Sequence, residues 1–261
     1  MSKLSKQTIG YVLIILITLF AFYWFITCSP IPQDLNYHAF GDSREIFGVP
    51  NFWNVISSFF FLAVGVSGLY QILFIKKFCL INDIKIVYVV LFSFSVLIAF
   101  GSAYYHLLPD NRTLLWDRLP MSVVFMSFFT IIISELVSLR AGKLLFIPLI
   151  CAGIASVMHW YISETQGQGD LRLYALVQFY PLLLIPVILL FFKSRYTQVN
   201  FYWALLCLYG LSKIFEYFDV VIFEYSNFIS GHTIKHMLAA MAVGVLLIAY
   251  QKRQLNTDEY N

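Results

Sequence analysis

Charge is scarce in this chain. Of its 261 residues only 12% are Asp, Glu, Lys or Arg, whereas roughly a quarter is usual for soluble domains, and 60% are hydrophobic. A water-soluble fold of this length has too little interior to hide that much apolar surface. The four cysteines, Cys28, Cys79, Cys151 and Cys207, are scattered with no CxxC pair. That spacing suggests neither a disulfide framework nor a thiolate metal site. Low-complexity tracts and a convincing internal repeat are missing too, and no polar stretch is long enough to form a soluble domain. The net charge of +3 says little by itself, and nucleic acid is not an expected partner.

Long apolar runs are what the chain does have. A membrane-spanning helix needs about 20 mostly apolar residues. Eight segments qualify: 8–28, 51–75, 84–108, 119–139, 143–161, 171–192, 200–222 and 232–251. The fold class expected is therefore all-α, a polytopic bundle. The first run, behind Lys3 and Lys6, is too long for a secretory h-region and no A-x-A-like site follows it, so it reads as a retained anchor. Lys and Arg near helix ends orient the bundle. With the N-terminus inside, Lys76, Lys77, Lys85, Arg140, Lys143, Lys193, Arg195, Lys252 and Arg253 join Lys3 and Lys6 on the inner side. Only Arg44, Arg112, Arg118 and Arg172 fall outside. Both termini are thus expected in the cytoplasm, and the short loops fit a bacterial inner membrane.

On that topology all five histidines, His38, His106, His159, His232 and His236, gather at the outer face. His232 and His236 in GHTIKH are four apart on a helix, so their rings share one face and can bind one metal ion. Ser102 and His106 in SAYYH repeat that spacing. Asp117 follows the helix-breaking PDNR, where the chain can turn back towards His106. Three neutral imidazoles are a common ligand set for catalytic zinc, which keeps a fourth position for water. A nearby carboxylate can carry a proton, and a serine hydroxyl can donate to an oxyanion. Each residue also has a plainer reading. His38 and His159 suit the membrane interface, Asp117 can cap the fourth helix, and Ser102 can bond its own helix. Lys213 and Glu216 are placed to pair, and with Asp219 they either line a polar cavity or brace the ligands. Lys235 is assigned to a different face from the histidines, and Glu135 is expected to snorkel at the inner end.

SAYYH (102–106), WDRLPM containing Asp117, and GHTIKH together resemble the alkaline ceramidase family, within a seven-helix membrane hydrolase group that includes adiponectin-receptor-like proteins. The resemblance runs from about Asn51, in PNFWNVISS, through His236. It implies zinc on His106, His232 and His236, Asp117 as proton shuttle and Ser102 as oxyanion donor. It also implies a division into an N-terminal anchor (1–30), an extracytoplasmic loop (31–50), a seven-helix hydrolase core (51–251) and a cytoplasmic tail (252–261). The family's acidic calcium site does not align: NYHAFGDSREIFGVPN offers Asp42 and Glu45, with Asn51 where an acidic ligand is expected. Calcium is therefore doubtful. The expected function is zinc-dependent hydrolysis of a ceramide-like lipid amide that enters from the bilayer. Two alternatives stand beside it, a receptor or transducer with structural zinc and a proton-coupled transporter. The lipid's identity and the oligomeric state stay open.

Overall fold

A computed structural model describes residues 5–256, so Lys3 and the last five residues of the expected tail lie outside the described residues. Nine α-helices make up the fold among those described: α1 (Lys6–Thr27), α2 (Phe52–Tyr70), α3 (Lys85–Leu107), α4 (Asn111–Ile132), α5 (Leu139–Thr165), α6 (Arg172–Phe191), α7 (Asn200–Tyr217), α8 (Asp219–Ser226) and α9 (Gly231–Lys252). Wider π-turns extend α2 through Ile75 and α4 through Val137. Among the described residues seven helices are long and apolar enough to cross a bilayer, as a multi-pass membrane protein requires.

The difference from eight expected spans lies in segment 200–222. It breaks at Phe218, leaving α7 with 18 residues and carrying Lys213 and Glu216 in its last turns. At 1.5 Å per residue α7 still rises about 27 Å, close to a bilayer's hydrocarbon thickness. The fourth segment also starts earlier than expected, at Asn111. Asp110 caps it, its carboxylate accepting from Thr113 N (2.7 Å) and Thr113 Oγ1 accepting in return from Asp110 N (3.2 Å). This capping box sets the start eight residues before the apolar run at 119, and Asp117 therefore sits inside α4 and caps nothing.

Pro120 has a consequence next door. Having no N–H, it leaves the Trp116 carbonyl without its helical donor. Gly101 of α3 lies against that carbonyl, so closely that a Cβ there would come within 2.1 Å of the oxygen. Glycine at 101 lets α3 and α4 touch, and this brings Ser102 beside Asp117.

α4 is the central helix: 83% of its apolar stretch is buried, against 6% for α1. α3 and α5 flank it, α6 packs on both α4 and α5, and α9 sits between α2 and α7. α1 packs on α6 at the edge and leaves Leu16, Leu19, Phe20 and Tyr23 outward. A helix apolar on its free face belongs against lipid. α6 and α7 do not pack along each other, so the ring of helices has a gap there, bridged by Gln178 Nε2 donating to Tyr209 OH (2.5 Å).

Candidate metal centre and its cavity

The centre is built by two helix ends and a strap. α3 brings His106 in its last turn. Ser230, whose Oγ accepts from Thr233 N (3.2 Å), starts α9 so that His232 and His236 fall in its first two turns. Gly231 permits a tight crossing: a Cβ there would lie 2.1 Å from the Phe215 carbonyl. Asp219 then accepts from His232 N at 2.6 Å with one oxygen, and with the other from Gly41 N of the strap at 2.8 Å.

The ligand atoms of His106, His232 and His236 lie within 4.8 Å of one another, and all three rings are buried. His106 Nε2 and His236 Nε2 are 3.2 Å apart. Two nitrogens bound to one tetrahedral zinc at 2.0–2.1 Å stand roughly 3.3 Å apart, so the spacing suits a shared ion. The proton positions agree. Ser57 Oγ donates to the Asn54 carbonyl (3.1 Å), leaving its lone pairs for His236 Nδ1, which lies 2.9 Å from Ser57 Oγ and 3.2 Å from that carbonyl. With its proton on Nδ1, His236 turns the Nε2 lone pair towards the other two rings. His106 Nδ1 is buried without a partner, an unpaired state a proteinaceous core rarely tolerates. These three imidazoles can hold one metal ion.

The strap between α1 and α2 roofs the centre. The Phe40 ring lies 4.6 Å from His106 and 4.8 Å from His232, centroid to centroid. His38 takes no part in the triad; its Nδ1 meets Tyr105 OH (2.9 Å) and its Nε2 meets Asn111 Oδ1 (3.0 Å). His159 is exposed and also stands apart. Asp42, one of the two acids considered for calcium, is gripped by Arg44 through Nε (2.8 Å) and Nη2 (2.7 Å). Asn51 is buried and donates to the His106 carbonyl (2.8 Å), which ties the start of α2 to the end of α3.

Beside the triad opens a cavity of about 210 Å³ whose wall includes Ser102, Asp117, Arg118, Lys213, Glu216 and Lys235, with His236 at its edge. Ser58 Oγ donates to Ser102 Oγ (3.0 Å), and the Ser102 hydroxyl in turn bonds the Asp117 carboxylate. Glu216 is shared by Lys213 (2.7 Å) and Lys235 (2.6 Å), and Tyr37 OH also donates to it (3.2 Å). Lys235 thus joins the site, contrary to its expected separate face: residues three apart on a helix are neighbours, and its Nζ lies 3.4 Å from His232 Nε2. A second, apolar cavity of about 80 Å³ continues inward and shares Phe61, Ile98, Met121, Phe125, Tyr209 and Ala239 with the first.

Sequence reasoning missed Asn54, Ser57 and Ser58, which hold His236 and Ser102 from α2. Small polar residues every few positions along an apolar helix were the available signal. Glu135 was placed wrongly. It does not snorkel but is buried, bonded to Arg253 Nη1 (2.6 Å), Tyr202 OH (2.8 Å) and Ser194 Oγ (3.0 Å). Arg253 follows α9 directly and can reach back between the helix ends.

Fold and site together define an all-helical bundle, apolar enough for a membrane, with a buried three-histidine centre opening on a polar cavity. No protein-family model, curated protein or solved structure matches the chain.

Proposed function

We propose that this chain is an intramembrane zinc hydrolase that cleaves a lipid amide of the ceramide type. The observation carrying this reading is that Ser102, Asp117 and His236, one of the three clustered imidazoles, line one cavity whose inner continuation is apolar. Neutral imidazoles favour zinc over calcium or magnesium, which take oxygen ligands. His106, His232 and His236 would hold the zinc, which would supply Lewis acidity for an acyl carbonyl and for water. The oxygen of water joins the acyl carbon and the C–N bond breaks. Asp117 takes a proton from the water and returns it to the departing amine nitrogen. Once Asp117 has taken its proton, the Ser102 hydroxyl turns from Asp117 to donate to the oxygen that gains charge, while Ser58 keeps the Ser102 oxygen in place. The acyl chain lies in the apolar cavity and enters sideways through the gap between α6 and α7. With α7 crossing as an eighth span and the Lys- and Arg-rich ends inside, the centre lies on the extracytoplasmic side and both termini in the cytoplasm.

A proton-coupled transporter would need a polar path across the bundle, and the space inward of the site is lined by Leu91, Phe128, Ile185 and similar residues. The deciding experiment is elemental analysis of detergent-purified protein together with a lipid-amide hydrolysis assay. The expected result is about one zinc per chain. His232→Ala loses both metal and turnover, while Asp117→Asn keeps zinc and loses roughly 10²–10⁴ in rate. Wild type without metal, or full activity in His232→Ala, overturns the hydrolase. Stoichiometric zinc with no turnover of any lipid amide or ester points instead to a receptor on this scaffold.

A further inference from the structure

Arg118 is a buried cation that no carboxylate contacts directly. Its guanidinium is stacked among three aromatic rings, 4.2 Å from the centroid of Trp160, 4.8 Å from Tyr174 and 5.5 Å from Tyr37. Its one hydrogen bond is from Nη2 to the neutral Gln33 Oε1 at 2.7 Å. Nη1 is buried and has no partner, and Arg118 forms no ion pair among the described residues. The other buried or half-buried arginines differ: Arg253 has Glu135 and Arg172 has Asp170. Glu216 offers no relief, since Lys213 and Lys235 already share it. The cavity wall thus carries three cations, Arg118, Lys213 and Lys235, against two carboxylates, Asp117 and Glu216.

A buried charge that no carboxylate contacts directly is costly inside a bilayer-spanning bundle and marks function. The aromatic cage holds this one desolvated and in place without neutralising it. A lysine would serve as well if only charge mattered. A planar guanidinium is suited to two-point contact with an oxyanion.

We infer that the cavity is built for a lipid amide whose head carries an oxyanion, a carboxylate or a phosphate, and that Arg118 is the residue that reads it. The inference rests on the hydrolase reading for the word amide, and on the unpaired guanidinium for the word oxyanion. The apolar cavity takes the acyl tail, so the charged group belongs to the amine half of the substrate. That half stays at the polar end, beside Arg118 and Tyr37.

The test is equilibrium binding to the detergent-purified full chain, using uncleavable ketones in which CH₂ replaces the amide N–H. Three dodecanoyl-chain ligands are compared, ending in a carboxylate, in a hydroxyl and in the phosphate ester of that hydroxyl. Wild type is expected to bind at least one anion about tenfold more tightly than the alcohol. The two anionic arms tell carboxylate from phosphate. Arg118→Gln removes the preference and Arg118→Lys keeps part of it. Equal or tighter binding of the alcohol, binding of no ligand, or a preference that survives Arg118→Gln overturns the proposal. The wild-type comparison decides even if the variants do not fold. An anion preference without hydrolysis of any amide would sink the hydrolase and leave the oxyanion site. Hydrolysis of neutral amides without anion preference would do the reverse.

Discussion

Two buried polar clusters sit at opposite ends of α9, and they are finished differently. At the C-terminal end, Arg253 uses Nε on the Cys79 carbonyl (2.5 Å), Nη1 on Glu135 (2.6 Å) and Nη2 on Tyr88 OH (3.2 Å), while Glu135 accepts three bonds. Both side chains are 1% exposed, and apart from the Tyr250 hydroxyl the cluster's hydrogen bonds are met, although a cavity of about 200 Å³ lined by Glu135 and Ser194 lies beside it too. At the N-terminal end, His106 Nδ1 and Arg118 Nη1 are buried without partners, and a cavity of about 210 Å³ lies alongside. A saturated network spends all its bonding capacity on holding helices together. An unsaturated one keeps capacity for something that arrives. Burial and charge alone do not separate the two; the count of unmet bonds does.

The largest effect that would break this comparison is at the closed end. Glu135→Ala strands the Arg253 charge among apolar helices and is expected to cost about 3–5 kcal/mol. A lowered thermal unfolding midpoint in detergent, with zinc stoichiometry unchanged in whatever remains folded, would bear this out. An unchanged midpoint would mean the cluster is no brace. The open end should answer in the opposite way. Ser57→Ala removes the group that fixes the His236 tautomer and is expected to lower zinc affinity about 10–100-fold with little change in the unfolding midpoint. Competition with a chelating dye reads the affinity, and unaltered affinity would leave Ser57 as packing only.

The smallest effect concerns the α1–α6 junction. Arg172 beside Asp170 holds that carboxyl below the ordinary aspartate range, and the same guanidinium binds the Cys28 (2.5 Å) and Phe25 (3.2 Å) carbonyls at the end of α1. A depressed carboxyl pKa stabilises the fold above the unfolded value of about 3.9 and loses that contribution as pH falls through the folded one. Protection of the amides at residues 25–31, taken against the free-chain exchange rate at each pH, should therefore fall on acidification below about pH 4. Asp170→Asn should show the lowered protection already at neutral pH; a variant with wild-type protection at both pH values would remove Asp170 from this junction.

Much of the centre was legible in the chain. His232 and His236, and likewise Ser102 and His106, betray themselves by i, i+4 spacing, because one helix face is a local property. The placement of α4 was less so, since a capping box at Asp110 and Thr113 starts the helix well before the apolar run at 119. Arg118 looked like one more outer-loop cation. Its meaning depends on Tyr37, Trp160 and Tyr174, which come from the strap, α5 and α6, and no spacing rule links them.

By itself the sequence determined the all-helical class, the apolar spans and the clustering of histidines at one end. These follow from composition and from periodicity within single helices, where neighbours in space are neighbours in the chain. Only the tertiary structure decided that α7 stops at Tyr217, that Glu135 belongs to Arg253, that Lys235 reaches into the site and that no carboxylate contacts Arg118 directly. Each of those depends on which atoms from distant segments meet and on how many bonds remain unmade when they do. Packing sets that count, and no stretch of chain carries it alone.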